Sequence, residues 1–460
     1  MSLDALLLSR LQFAFTLAFH IIFPSFTIGL ASFLAVLEAL WLATRREAFQ
    51  RLYLFWLKIF ALSFGMGVVS GVVMSYEFGT NWSVFSKISA GVIGPLLAFE
   101  VLTAFFLEAS FLGVMLFGWR RVGPGLHFAA TCLVAFGTLV SAFWIISANS
   151  WMQYPVAFAA LPDGRLTATD WVAVVFSPTF PERFAHMVLA AYLSTALMVG
   201  AASAFALWRD PRQSESRIAL RMAVGMCLAV APLQLLVGDA SGKDITHRQP
   251  AKLAAIEGFW ETRAGQPFHI VAWPDRGRQK NDFEVSIPKL GSWVTTGDAA
   301  ATVKGLKAFA PRDRPPAAVV FWSFRIMVGL GLAMIGLGAW GALLWWRGGP
   351  ERSRLFLAAA MLMGPAGFVA VIAGWTTAEV GRQPWVIYGV MRTASAASPV
   401  TAPEVSASLI AFLVVYAIVF AAGALYILRQ IAQGPLAAEP PLAGTGAPGT
   451  PLAAATEPEP

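Results

Sequence analysis

The stretch "LQFAFTLAFHIIFPSFTIGLASFLAVLEALWLA", residues 11–43, decides the fold. It exceeds the roughly 20 apolar residues that cross a hydrocarbon core. In lipid the backbone has no water partner, so such a run is read as a helix. The rest of the chain repeats the pattern. Of 460 residues, 57% are hydrophobic and 13% charged, against about 25% charged in soluble domains. Mean hydropathy is +0.65. The net charge of +7 does not point to nucleic acid, because the cations cluster between apolar runs. Cys132 and Cys227 lie inside apolar runs, which excludes a disulfide framework and a zinc spacing. The first run is too long for a cleavable signal, and no small-residue cleavage site follows it.

Working outward, further apolar runs fall at 52–77, 92–117, 125–148, 184–208, 218–238, 318–346, 354–375 and 405–429. The expected fold is an all-α polytopic membrane protein with nine spans. Odd-numbered connections carry Arg45, Arg46, Arg51, Arg120, Arg121, Arg209, Arg212, Arg217, Arg221, Arg347, Arg352 and Arg354, and Arg429 follows at the end of the last span. The other side's short segments carry fewer cations: Arg10, Lys87, Arg165, Arg183, Arg382 and Arg392. The positive-inside rule places the N-terminus outside and the C-terminus in the cytoplasm. The expected organisation is six spans in 1–238, a long polar outer loop at 239–317, three spans in 318–430 and a disordered tail at 431–460. Within the loop, "QPAKLAAIEGFWET" reads as a helix with Pro250 near its start.

An ionisable group in hydrocarbon costs a few kcal/mol even on lenient scales, so polar residues within spans are where function is sought. His20 lies well inside the first span and reads either as a core histidine or as a ligand to a metal or haem iron. His186 and Met327 fall at similar outer depths in the fifth and seventh spans; they read as an interfacial histidine and a core methionine, or as a pair that ligates one iron from both faces. Arg325, beside Met327, calls for an anion: a haem propionate or Glu379. Glu100 and Glu108 on the third span are about 12 Å apart at 1.5 Å per residue, two turns and about 80° around the helix. They read as a proton relay, as separate helix–helix hydrogen bonds or as a Na⁺ path, with Ser141 available to join. Lys252 and Glu257, close to Trp260, read as a solvated face or as groups that hydrogen-bond and deprotonate a quinol. Near the end of the eighth span, "WTTAEVGRQPW" places Glu379, Arg382 and Gln383 between Trp375 and Trp385. His127, His247 and His269 receive no role.

Four stretches, "AFHIIFPSFTIG", "KLAAIEGFWE", "FWSFRIMVGLG" and "WTTAEVGRQPW", together resemble subunit I of the cytochrome bd-type quinol oxidases, from about residue 5 to 430. The resemblance implies that His186 and Met327 are the axial ligands of a low-spin haem b. It implies that His20 and Glu379 serve a high-spin haem b and a haem d, in either assignment. Glu100 and Glu108 correspond to acidic residues on the proton route. Lys252 and Glu257 correspond to loop residues of quinol oxidation, and Arg325 and Arg382 to arginines near propionates. Trp375 and Gln383 belong to the same haem-binding stretch. The short loop resembles the cyanide-insensitive branch, in which haem b can stand in place of haem d. Further implications are a second large membrane subunit, a small single-helix subunit in some members, and a bacterial inner-membrane location. A b-type cytochrome that does not reduce O2 and an ion-coupled transporter are the rival readings.

Overall fold

The computed structural model describes residues 4–435. Among them are nine helices long and apolar enough to cross a membrane. We number them α1 (Ala5–Thr44), α2 (Glu47–Thr80), α3 (Ser83–Phe117), α4 (Pro124–Gln153), α5 (Phe180–Arg209), α6 (Ser214–Arg248), α7 (Ala317–Trp346), α8 (Arg354–Val380) and α9 (Ala402–Gln433). All nine expected spans are present. Most of the expected tail lies outside the described residues.

The helices run longer than their apolar cores. At 1.5 Å per residue, α1 is about 60 Å long, twice a hydrocarbon core of about 30 Å. The same extension occurs at α6. It continues to Arg248, so residues 239–248, counted with the loop from their polarity, extend the helix beyond the apolar run.

Connections on one side are tight. Arg45 caps α1 in the left-handed region at φ 54, and α2 begins two residues later. The opposite side carries the long segments between α4 and α5, α6 and α7, and α8 and α9. We call it the loop side.

α1 packs against α2, α4, α5, α8 and α9. Small residues permit the closest approaches. A Cβ added at Gly367 on α8 would lie 2.6 Å from Ser194 Cα on α5. Away from the loop side the core is aromatic and aliphatic, with Leu34, Tyr53, Trp56 and Phe60 fully buried.

Two spans are irregular. Gly364 and Pro365 interrupt α8 between Met363 and Ala366. In α3, Val101–Phe105 forms a π turn.

On the loop side a short helix, Pro250–Glu257, is buried over α6 and α7. Pro250 occupies its first turn, and Gly258 ends it at φ +69, which suits a residue without a side chain. Leu253, Ile256, Phe259 and Trp260 pack with Val303, Leu306 and Val320. Among the described residues, eight short strands form four antiparallel pairs: β1 (Phe158–Ala160) with β2 (Leu166–Ala168), β3 (Arg263–Ala264) with β6 (Thr302–Val303), β4 (Phe268–Asp275) with β5 (Lys280–Ile287), and β7 (Trp385–Ile387) with β8 (Met391–Arg392).

Candidate haem and quinol sites

Three ligand-type side chains each lie against a glycine on a neighbouring helix. On α1, His20 Cε1 is 3.2 Å from where a Cβ on Gly71 of α2 would sit. His186 Cε1 on α5 is 3.3 Å from the corresponding point at Gly238 of α6, and Met327 Sδ on α7 is 2.9 Å from that at Gly374 of α8. Any side chain at those glycines would press on the imidazole or thioether.

Ser70 holds the His20 ring. Its hydroxyl lies 3.0 Å from the Met66 carbonyl, 2.9 Å from the Gly67 carbonyl and 3.0 Å from His20 Nδ1. In the tautomer in which Nδ1–H donates to Ser70, Nε2 carries the lone pair that binds metal. At His186, Nε2 is 3.1 Å from Gln234 Nε2, while Nδ1 and Gln234 Oε1 are buried without partners.

Glu379, at the end of α8, is the hub of a buried polar cluster. Oε1 accepts from Asn149 Nδ2 and Gln153 Nε2, each at 3.0 Å, and Oε2 pairs with Arg382. Arg183 donates to Asn149. Lys252 Nζ donates to Gln153 Oε1 at 2.6 Å, and Gln249 donates to the same oxygen at 3.2 Å. Glu379 thus pairs directly with Arg382 and reaches Arg183 and Lys252 through the Asn149 and Gln153 amides. Arg183 Nε and Arg382 Nε and Nη1 are buried without acceptors. Burial, then the neighbouring charge of Arg183, drives the Lys252 pKa well below the usual lysine range, against the pull of Glu379.

The structure separates Lys252 from Glu257. Five helical positions turn about 140° beyond a full circle, so the two leave the loop helix in different directions. Lys252 packs on Gly381 and enters the Glu379 cluster. Glu257 pairs with Arg325 Nη2 at 2.8 Å. The anion that Arg325 demanded is therefore a loop residue. Its guanidinium also donates to the His269 carbonyl at 2.9 Å and lies over the rings of Phe321 (4.5 Å) and Phe268 (4.8 Å). Trp260 Nε1 donates to Asn281 Oδ1 at 2.9 Å. Gln383 accepts from Thr393 at 2.8 Å, Trp375 is half-buried on α8, and Trp385 lies under Arg392.

Glu100 and Glu108 share one flank. A π turn takes up about one extra residue, so eight residues behave as seven and bring the two carboxyls to within about 20° of each other around the axis. The regular-helix figure of 80° is corrected accordingly. Ser141 of α4 donates to Glu100 Oε1 at 2.7 Å. One turn along α4, a Cβ on Gly137 would meet Glu108 Cγ at 2.7 Å. Glu108 Oε1 is buried without a partner.

Sequence reasoning missed Asn149, Gln153 and Gln249, because polar residues at a span's end look interfacial. It also left His127 without a role. His127 is buried, with Nδ1 2.6 Å from Glu38 Oε1, while Thr131 donates to Glu38 Oε2 at 2.6 Å. The signal was Glu38 itself, the one carboxylate in the first apolar run.

The residues fit haem. Among those described, no three His, Cys, Asp or Glu converge as a bare metal ion would require. A porphyrin asks the protein for only one or two axial ligands, and its propionates suit buried guanidinium groups that lack acceptors. Fold and site therefore define a polytopic membrane protein whose spans carry buried side chains suited to haem.

The chain belongs to the cytochrome bd terminal oxidase subunit I family, whose sequence model matches residues 8–435. It is 34% identical to cytochrome bd-II ubiquinol oxidase subunit 1 of Escherichia coli (strain K12), over 94% of this chain and 98% of that one. It is 35% identical to cytochrome bd ubiquinol oxidase subunit 1 of Bacillus subtilis (strain 168), over 94% of each. The bd oxidase structure from Geobacillus thermodenitrificans superposes with a TM-score of 0.87 at 29% identity, covering 94% of this chain and 99% of that one. This chain is thus a haem-binding, multi-pass respiratory oxidase subunit of a bacterial inner membrane.

Proposed function

We propose that this subunit oxidises quinol at the loop side and supports reduction of O2 to water with protons drawn from the opposite side. The loop side faces outward, the N-terminus lies outside and the C-terminus lies in the cytoplasm, as the arginine distribution supports. The observation that carries the reading is the placement of the polar groups: the Glu379 cluster and the Glu257–Arg325 pair at the loop side, with Glu108 and Glu100 on one flank of α3, against α4, leading from the other half.

His186 and Met327 would hold a low-spin haem b, and His20 and Glu379 a high-spin haem b and a haem d or second haem b. Arg183, Lys252 and Arg382 would neutralise propionates. When bound, these haems supply the one-electron steps between quinol and O2. Glu257, held by Arg325, accepts a quinol hydroxyl proton and releases it outward. Glu108 takes protons from the cytoplasm and passes them to Glu100, which Ser141 orients. Charge then separates across the membrane without a pump, at about 2.3 kcal/mol per charge against 100 mV. A second large subunit completes the enzyme, with a single-helix subunit as a further partner.

Two predictions test these roles. Glu108→Gln should slow O2 turnover by about 10²-fold, the low end for a positioned proton-transfer group, with haem content unchanged. Normal proton uptake by that variant in proteoliposomes would remove the relay. Glu257→Gln should slow turnover with quinol but not with an artificial electron donor, whereas Lys252→Ala should slow both, because it acts through Gln153 and Glu379. Oxygen-electrode assays with the two donors decide between a shared and a divided role.

A further inference from the structure

The β4–β5 hairpin has inverted polarity. A half-buried antiparallel sheet normally turns apolar residues inward and polar ones to water. Here His269 and Ala272 face the protein, 4% and 1% exposed. On the outer face, Phe283 is 91% exposed, Val285 59% and Trp273 56%, with Val271 paired to Val285 and also exposed. Phe283 is held at φ 51, a left-handed conformation that bulky residues avoid, and so projects from the strand.

The hairpin's location explains the inversion. Arg325 sits about two turns below the start of α7 and donates to the His269 carbonyl, so β4 runs beside the upper turns of a membrane span. The Trp273 ring is 6.5 Å from Trp322. Val319 and Ile326, three residues before and four after Trp322, share its stripe on α7 and are exposed. The apolar face of the hairpin therefore continues an exposed apolar flank of α7. The tip carries Arg276 in its turn and Lys280 at the start of β5, cations suited to headgroup phosphates. Apolar residues with aromatics beside a basic rim are the composition of a segment lying in the membrane interface.

We propose that the β4–β5 hairpin docks its outer face on the lipid bilayer, seating Trp273, Phe283 and Val285 at the headgroup–acyl boundary. It then forms a lip over the lipid beside Glu257 and Arg325, where a membrane-dissolved substrate enters; this last role rests on the quinol reading above. The docking itself does not, and its test uses no activity.

The assembled oxidase in lipid nanodiscs, with Cys132→Ala and Cys227→Ala, is spin-labelled at Phe283→Cys, Val285→Cys or Lys304→Cys. Labels at 283 and 285 should collide more with O2 than with a water-soluble nickel chelate, and the label at the exposed loop position 304 should show the reverse. Labels at 283 and 285 that behave like 304, or that are shielded from both quenchers by a protein partner, overturn the proposal. A second measurement needs no cysteine changes. The native oxidase in vesicles of phosphatidylcholine with a diazirine in its acyl chain should be labelled on the 268–287 peptide as well as on α7. Labelling of α7 alone overturns the proposal.

Discussion

Glu379→Ala should cost the protein about 3–5 kcal/mol of stability, the range for removing one partner from a buried ion pair, together with its high-spin haem signal. Glu379 is the one carboxylate in direct contact with Arg382, and it reaches Arg183 through Asn149 and Lys252 through Gln153. Deleting it leaves Arg382 and the two amides without their common acceptor, and removes the negative charge nearest Arg183 and Lys252. Glu379→Gln separates charge from hydrogen bonding. Its amide oxygen can still accept from Asn149 and Gln153, but the charge facing Arg382 is gone. The expected order of thermal midpoints in detergent is wild type, then Glu379→Gln, then Glu379→Ala, with pyridine haemochrome content falling alongside. An alanine variant with unaltered midpoint and haem content would remove Glu379 from the site.

The second large effect is expected at the pair assigned to the low-spin haem. His186→Ala and Met327→Leu should each abolish its band in the reduced-minus-oxidised spectrum. Met327→Leu is the sharper test, because leucine keeps the volume and the apolar contact and removes only the sulfur lone pairs. The supporting glycines grade the effect. Gly374→Ala would place a Cβ 2.9 Å from Met327 Sδ and should shift the band. Gly329→Ala on α7, with nothing within 4 Å of its Cβ position, should leave the band where it is. Survival of the band in Met327→Leu would refute the pairing.

The bundle was readable from hydropathy because lipid admits so few backbone solutions. Nine apolar runs became nine spans, and errors were confined to ends such as residues 239–248, where a polar sequence continues a helix into water. The ligand-type residues stood out for the same reason: an imidazole or carboxylate in an apolar run is conspicuous. Their partners did not stand out. Asn149 and Gln153 resemble ordinary end-of-span amides until α4 is packed against α8. Lys252 and Glu257 look alike in sequence, and only the rotation between them sends one to Glu379 and the other to Arg325.

From the sequence alone come the nine spans, the long loop and the short set of polar side chains that hydrocarbon would reject. Transfer free energy is a property of each residue, legible without knowing its neighbours. Which of those side chains share an acceptor is settled by tertiary packing. So are the glycine that backs each ligand-type side chain, the flank that carries both Glu100 and Glu108, and the hairpin face turned outward. These depend on helix rotation and on a π turn that takes up about one residue, which leave no trace in composition.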